Sequence, residues 1–451
     1  MFINLFYWPF LFLSVLIYWV LPKQKLRTAF LTICSLGFIW YFDEKGLAVI
    51  VALTLFTYPM AVWLERSARP KLVHRFGITG ILIVLIVFKY LGFLTGILNS
   101  LFSFFHQLPV FEIDKLLLPL GISYITFKYI SYLTDIYWGI VKKGRLLDFV
   151  CYGSLFTIFV AGPIERFERL KPQLELDGVK FQVAYFEQAF ARITFGLFKK
   201  LVLADWLGFF INPVWANPDQ YSLFVRVLAL FGYSLQIYFD FAGYSDIAIG
   251  SSRLFGLTIM ENFDSPYLAS NMSQFWRKWH ISLSDWIRDY IFFPLSQNKK
   301  NKFWLLFCVP VIAMGIVGLW HGSAMHFIAW GVWHGIGIAV YQVWIRWKRK
   351  NRKSLLTIKA RVGKAVAIFV TYIYCSFGWI LFKRSKYILS LLHINIFLIF
   401  YLLIIPLVIL LALLIIDKVK IRSSFYLTVA LLLLTLLSVC LVNTDFIYQG
   451  F

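Results

Sequence analysis

The stretch "GIVGLWHGSAMHFIAWGVWHGIGIAV", residues 315–340, contains no Asp, Glu, Lys or Arg, yet it holds three histidines, His321, His326 and His334. An uncharged run of this length is what a bilayer demands, because crossing about 30 Å of hydrocarbon as a helix takes about 20 apolar residues. Comparable runs recur from end to end, at 2–21, 46–64, 76–96, 222–247, 303–320, 324–345, 388–416 and 424–444. Of the 451 residues 60% are hydrophobic, 20% aromatic and only 15% charged, where soluble domains carry roughly 25% charged residues. These features predict an all-α, polytopic membrane protein with about eleven spans. The run at 2–21 lacks a basic lead and a small-residue cleavage site, so it reads as the first span and not as a removable signal. No internal repeat stands out and no loop is long enough for a separate soluble domain, which predicts one membrane domain over 1–451 with its chemistry inside the bilayer.

Lys and Arg outnumber Asp and Glu by 44 to 22, for a net charge of +22. Their placement argues against nucleic acid as the partner. They follow the ends of apolar runs: Lys23, Lys25 and Arg27; Arg66, Arg69, Lys71 and Arg75; and "RWKRKNRK" at 346–353. The positive-inside rule puts such loops in the cytoplasm and, by alternation, the N-terminus outside, with "DEK" at 43–45, Glu112 and Asp114 on outer loops. The cluster "KRSK" at 383–386 falls on the outer side and runs against the scheme. The five cysteines, 34, 151, 308, 375 and 440, stand singly in apolar runs, without spacing that suits zinc or any other metal.

"QFWRKWHISLSDWIRDYIFFPL", 274–295, is the charged exception in this apolar chain. On a helix, Phe275, Trp279, Leu283, Trp286 and Tyr290 form one stripe, and Lys278, Ser282, Asp285 and Asp289 another. This predicts an amphipathic helix over 273–295 lying in the headgroup region. His280 falls one step off the aromatic stripe, near Trp276, Ser284 and Ile287. It is either a histidine that hydrogen-bonds a neighbour or a functional group at the membrane surface.

Imidazoles at membrane depth are expensive unless paired or facing a polar cavity, so each is a functional candidate. A neutral imidazole in apolar surroundings suits general base work. His326 and His334 are expected to make interhelical hydrogen bonds, whereas His321, followed by Gly322 and Ser323 at a break between spans, is as well read as functional. Glycines 315, 318, 322, 331, 335 and 337 allow backbones or a narrow ligand to approach closely. A further polar intrusion, "SLQIYFDFAGYSDIAIG" at 234–250, places Gln236, Asp240, Ser245 and Asp246 in an apolar span. Its carboxylates require Arg or Lys partners and either staple helices or line a substrate path. Lys128 and Asp135, within 118–139, suggest a wet or internally paired interior.

Taken in order, "LPLGISYITFKYISYLTDIYWG" (118–139), "FVAGPIERFERLKPQL" (159–174), "QIYFDFAGYSDIAIG" (236–250), "NFDSPYLASNMSQFWRKWHISLSDWIRDYIFFPL" (262–295), "GLWHGSAMHFIAWGVWHG" (318–335) and the terminal "FIYQGF" resemble the membrane-bound O-acyltransferase (MBOAT) superfamily. The resemblance is to its bacterial alginate and peptidoglycan O-acetyltransferase branch, with the core motifs in 118–340. It implies a ring of helices, with interfacial and re-entrant pieces, around a tunnel from a cytoplasmic donor entrance to an outer acceptor site. It implies that His321 is the catalytic histidine and that His280 occupies the second conserved polar position. Arg277, Lys278 and Arg288, with Trp276, would meet the coenzyme A moiety of the donor, acetyl-CoA, and the three basic residues are as well read as lipid headgroup contacts. Gln236, Asp240, Asp246 and Trp320 would line the substrate path. No permanently bound cofactor is implied. The expected setting is a bacterial inner membrane among lipid, with a periplasmic SGNH-type acetyltransferase as partner that completes transfer to a polysaccharide. The alternatives are D-alanyl transfer to teichoic acid, a polysaccharide or lipid transporter, and a non-enzymatic scaffold.

Overall fold

The computed structural model describes residues 2, 4–104, 118–297, 302–350, 360–383, 396–418, 431–432 and 434–435. Within them the regular elements are helices joined by loops, and the only β pairing is one antiparallel bridge between Phe263 and Trp279. Six helices among the described residues are long and apolar enough to cross a membrane: Glu44–Arg66, Pro70–Ser100, Leu223–Leu254, Trp304–His321, Met325–Lys350 and Val362–Lys383. Five of them coincide with runs anticipated above. The sixth, Val362–Lys383, is diluted by Thr, Ser, Tyr and Gly and escapes a search for unbroken apolar runs.

The count therefore stops short of the expected eleven. The run at 2–21 yields only Tyr7–Val20, because Leu21 is extended, the conformation that Pro22 imposes on the residue before it. Of the run at 388–416, residues 396–416 are helical, and the piece Phe400–Leu411 is apolar but short. The run at 424–444, the terminal "FIYQGF", Cys440, Glu112 and Asp114 lie wholly or mostly outside the described residues.

Two compact units result, Met1–Phe190 with Ala248–Met260 and Ala191–Ile247 with Glu261–Phe451. In the first, the helix Ile122–Tyr137 is enclosed by protein, with every residue from Ile122 to Ile136 buried. Its polar groups are paired internally, as anticipated: Lys128 Nζ donates to the Tyr152 carbonyl at 3.2 Å, and Tyr129 OH meets Thr54 Oγ1 at 2.6 Å. Glu165, fully buried, accepts from the Met260 N–H at 2.8 Å and from Arg169 at 3.0 Å.

In the second unit, Val309–His321 and Met325–Lys350 form a close helical hairpin. Gly318 lies against the Phe327 carbonyl and Gly331 against the Met314 carbonyl, so near that a β-carbon at either position would collide. Small residues allow such approach where two helices must pack without a hydrophobic driving force from water.

The aromatic stretch 274–295 departs from the single helix that its periodicity predicts. It is split into Met272–Trp276, Ile281–Ile287, a π-helical turn at Arg288–Phe292 and a last turn at Phe293–Ser296. The break is at His280, whose φ of 44° puts it in the left-handed region. Pairing with a neighbouring strand-like segment overrides the helical period there: the Asp264 N–H bonds the Lys278 carbonyl at 3.0 Å and the Ile281 N–H bonds the Asn262 carbonyl at 2.9 Å. The stripe residues Phe275, Trp279, Leu283 and Trp286 are all buried within the unit, where Trp279 packs on Phe263, Tyr267 and Trp379.

Candidate active site

His321 ends the helix Val309–His321, with Gly322 extended directly after it. Only 2% of its surface is exposed. Its ring is boxed by Trp320, Trp330 and Phe382, at centroid distances of 4.9, 5.0 and 5.4 Å. This cage excludes water and fixes the imidazole by packing, which is what a proton-transfer group in an apolar interior needs.

His280 is held differently. Its Nδ1 lies 3.0 Å from Asn262 Oδ1, and its ring meets Phe241 edge to face at 4.7 Å. It lies outside the candidate spans, and burial with no counter-charge pushes its imidazole from the usual value down to about 3, so it is neutral. Trp320 touches both histidines, 6.2 Å from the His280 ring and 4.9 Å from that of His321. The pair predicted from sequence is thus joined through one indole.

A cavity of about 260 Å³ lies in the same unit, lined by neither histidine. Its walls are mainly apolar, including Leu283, Met314 and Val317, and Trp276, Arg277 and Arg288 line it as well. Trp276 connects this cavity to the histidine cage, since it packs on Trp330 at 5.8 Å and Trp330 packs on His321. Three of the four residues assigned above to the donor are therefore brought together. Lys278 is not among the lining residues and instead pairs with Asp264 at 2.9 Å. Arg288 is engaged by Asp285 at 2.5 Å and Asp289 at 2.9 Å, so an incoming phosphate would compete with two carboxylates. Arg277 is exposed and makes no ion pair among the described residues.

The polar intrusion at 234–250 has the cationic partners it requires, and they come from 191–200. Lys200 Nζ lies 2.6 Å from Asp205 and 2.9 Å from Asp240, all three buried. Asp246 is bound by Arg192 and Lys199, each at 2.6 Å, and Arg192 also pairs with Glu261. Asp240 and Asp246 are thus each paired with cations from a neighbouring segment. Asp246 additionally borders a polar cavity of about 280 Å³ with Arg192, Lys199, Glu261 and Asn262. Gln236 is buried beside Gly208, with its Oε1 unbonded among the described residues. Among the other histidines, His326 Nδ1 bonds the Leu381 carbonyl at 3.1 Å, the interhelical bond expected of it. His334 does not follow that expectation. It is enclosed by Phe275, Trp276, Trp330 and Trp379, and neither ring nitrogen has a hydrogen-bond partner among the described residues.

Sequence reasoning passed over Asn262, which anchors His280, and Trp330, which links the cavity to His321. A neutral amide and one more tryptophan carry no charge or spacing signal in a chain with 17 tryptophans.

The described residues thus form a multi-pass helical chain with a buried histidine caged at the end of a candidate span. The family model described as MBOAT, the membrane-bound O-acyltransferase family, matches residues 36–382, and the chain belongs to that family. It is an O-acyltransferase, which sets aside the transporter and scaffold readings. Over 385 residues the chain is 33% identical to the probable alginate O-acetylase AlgI of Pseudomonas aeruginosa, covering 84% of this chain and 71% of that protein. It is 28% identical over 416 residues to the peptidoglycan O-acetyltransferase of Helicobacter pylori, covering 85% and 76%. It is also 34% identical over 278 residues to the teichoic acid D-alanyltransferase of Streptococcus thermophilus, covering 57% and 66%.

Proposed function

We propose that the chain takes an acetyl group from cytoplasmic acetyl-CoA and passes it across a bacterial inner membrane to a hydroxyl outside, for a polysaccharide of the peptidoglycan or alginate type. The observation that carries this reading is the run of packed rings that leads from Trp276 in the cavity wall through Trp330 to the caged His321. The likeness to alginate and peptidoglycan O-acetyltransferases supports the choice of acetyl. A periplasmic acetyltransferase partner of SGNH type completes delivery to the polymer, because the described residues include no soluble domain suited to a bulky acceptor. The basic loops after the early spans are the ground for an outer N-terminus.

In this mechanism the pantetheine arm enters the apolar cavity, with Arg277 at its edge meeting phosphate. His321 takes the proton of the acceptor hydroxyl as the oxygen adds to the thioester carbonyl carbon. Collapse of the tetrahedral intermediate breaks the carbon–sulfur bond. The thiolate leaves with the electron pair and regains the proton from the imidazolium, giving free coenzyme A and an oxygen ester.

Reversing the charge with Arg277→Glu is expected to raise the KM for acetyl-CoA about tenfold, the worth of one charge-assisted contact of about 1.5 kcal/mol, with kcat nearly unchanged. Steady-state kinetics on membranes check this, and an unchanged KM would remove Arg277 from the donor site. D-alanyl transfer is the second reading, favoured by the 34% identity to the streptococcal enzyme. Supplying a D-alanyl thioester on its carrier protein beside acetyl-CoA separates the two, since only the true donor's acyl group becomes ester-linked in a histidine-dependent way.

A further inference from the structure

Three groups converge on one side-chain atom of Asn262: His280 Nδ1 at 3.0 Å, the Ser282 hydroxyl at 2.9 Å and the Ser282 backbone N–H at 3.3 Å. A backbone N–H can only donate, so the atom that it meets is the amide oxygen and not the amide nitrogen. The opposite end agrees, where Asn262 Nδ2 donates to Ser245 Oγ at 3.1 Å. An amide oxygen only accepts, so His280 Nδ1 carries its proton. In a neutral imidazole the lone pair then lies on Nε2. That nitrogen is buried and has no hydrogen-bond partner among the described residues.

The arrangement is held firmly. Asn262 is fully buried, its carbonyl accepts from the Ile281 N–H, and the Phe263–Trp279 bridge adjoins it. His280 is kept in a left-handed backbone conformation that residues other than glycine rarely adopt. Such a conformation persists only where the surroundings over-determine it.

We infer that Asn262 is a positioning residue that fixes His280 in its Nδ1–H form, so that the ring offers Nε2 to a substrate group with a hydrogen to give, an O–H or an N–H. In this form His280 supplies no hydrogen to the thioester carbonyl or to the oxyanion formed from it. The division of labour follows: His321 removes the proton, and His280 aligns a donor group, either the acceptor hydroxyl or an amide N–H of the pantetheine arm. The role in turnover rests on the reading above, whereas the protonation of the ring does not.

The test is ¹⁵N NMR of the full-length chain labelled at histidine, with the His280 signals assigned by their absence in His280→Gln. The expected spectrum at neutral pH has an unprotonated Nε2 and a protonated Nδ1. An Nε2–H ring or an imidazolium at His280 of the parent chain would overturn the inference. In Asn262→Leu the Nδ1–H form should no longer dominate, and acyl transfer should fall about 10- to 100-fold, as when a partner that orients another ring is removed. Retention of both the Nδ1–H form and the activity would overturn it as well. In His280→Gln, a raised KM for acetyl-CoA assigns the pantetheine N–H and a raised KM for the hydroxyl acceptor assigns the O–H, while two unchanged KM values contradict the role. If no form of the chain turns over acetyl-CoA, the acetyltransferase reading fails and the spectrum still decides the tautomer.

Discussion

His321→Ala is expected to lower acyl transfer by about 10²- to 10⁴-fold, the usual contribution of a positioned general base, while the protein still accumulates in the membrane. The imidazole is 2% exposed in a cage of Trp320, Trp330 and Phe382, which leaves little room for a solvent base to replace it. Truncation also leaves a hole in that cage, and for this reason His321→Gln is the informative companion. Glutamine fills much of the volume and keeps hydrogen bonding but has no basic nitrogen to accept a proton at neutral pH. Both variants should be inactive, with the glutamine form as heat-resistant as the parent chain. Activity retained in His321→Gln would make the histidine a packing or orienting group. The measurement is base-labile acetate on the extracellular polymer, with membrane protein levels matched.

The second large effect is expected on stability. Lys200 lies between Asp205 and Asp240, and the three side chains are between 1% and 4% exposed. Removing the cation in Lys200→Met strands two carboxylates in a low-dielectric interior, at a cost of about 3–5 kcal/mol for breaking such a buried pair. Loss of inserted protein and a lowered midpoint of thermal unfolding in detergent are the readouts. Adding Asp205→Asn and Asp240→Asn to Lys200→Met should restore much of the loss, because a neutral polar cluster leaves no uncompensated charge. The same triple variant decides between the two roles considered for Asp240. Near-normal transfer in a stable triple variant identifies Asp240 as a staple, and lost transfer in that background returns it to the substrate path.

What could be read from the sequence follows from which forces act locally. Five of the six candidate spans among the described residues were legible because the bilayer imposes one rule on every residue within them, and glycines 318 and 331 were legible as points of close helix approach. That Asp240 and Asp246 need cations followed from the cost of buried charge, but the identity of Arg192, Lys199 and Lys200 depended on which helix packs beside them. The 274–295 stretch misled because its period of 3.6 is real, yet pairing between Phe263 and Trp279 breaks the helix at His280. Asn262 carried no periodicity or charge by which to be noticed, and only the three hydrogen bonds at its oxygen reveal it. His334 was expected to bond a neighbouring helix and is instead walled by aromatic rings, a matter of tertiary packing alone.

The most direct test of acyl transfer through His321 uses membrane vesicles that expose the cytoplasmic face, supplied with acetyl-CoA labelled in its acetyl carbon and with the partner and polymer enclosed. Base-labile label should appear on the polymer with the parent chain and be absent with His321→Gln. Equal labelling with both chains, or none from acetyl-CoA with the parent chain while a D-alanyl thioester is used, would contradict acetyl transfer by this histidine.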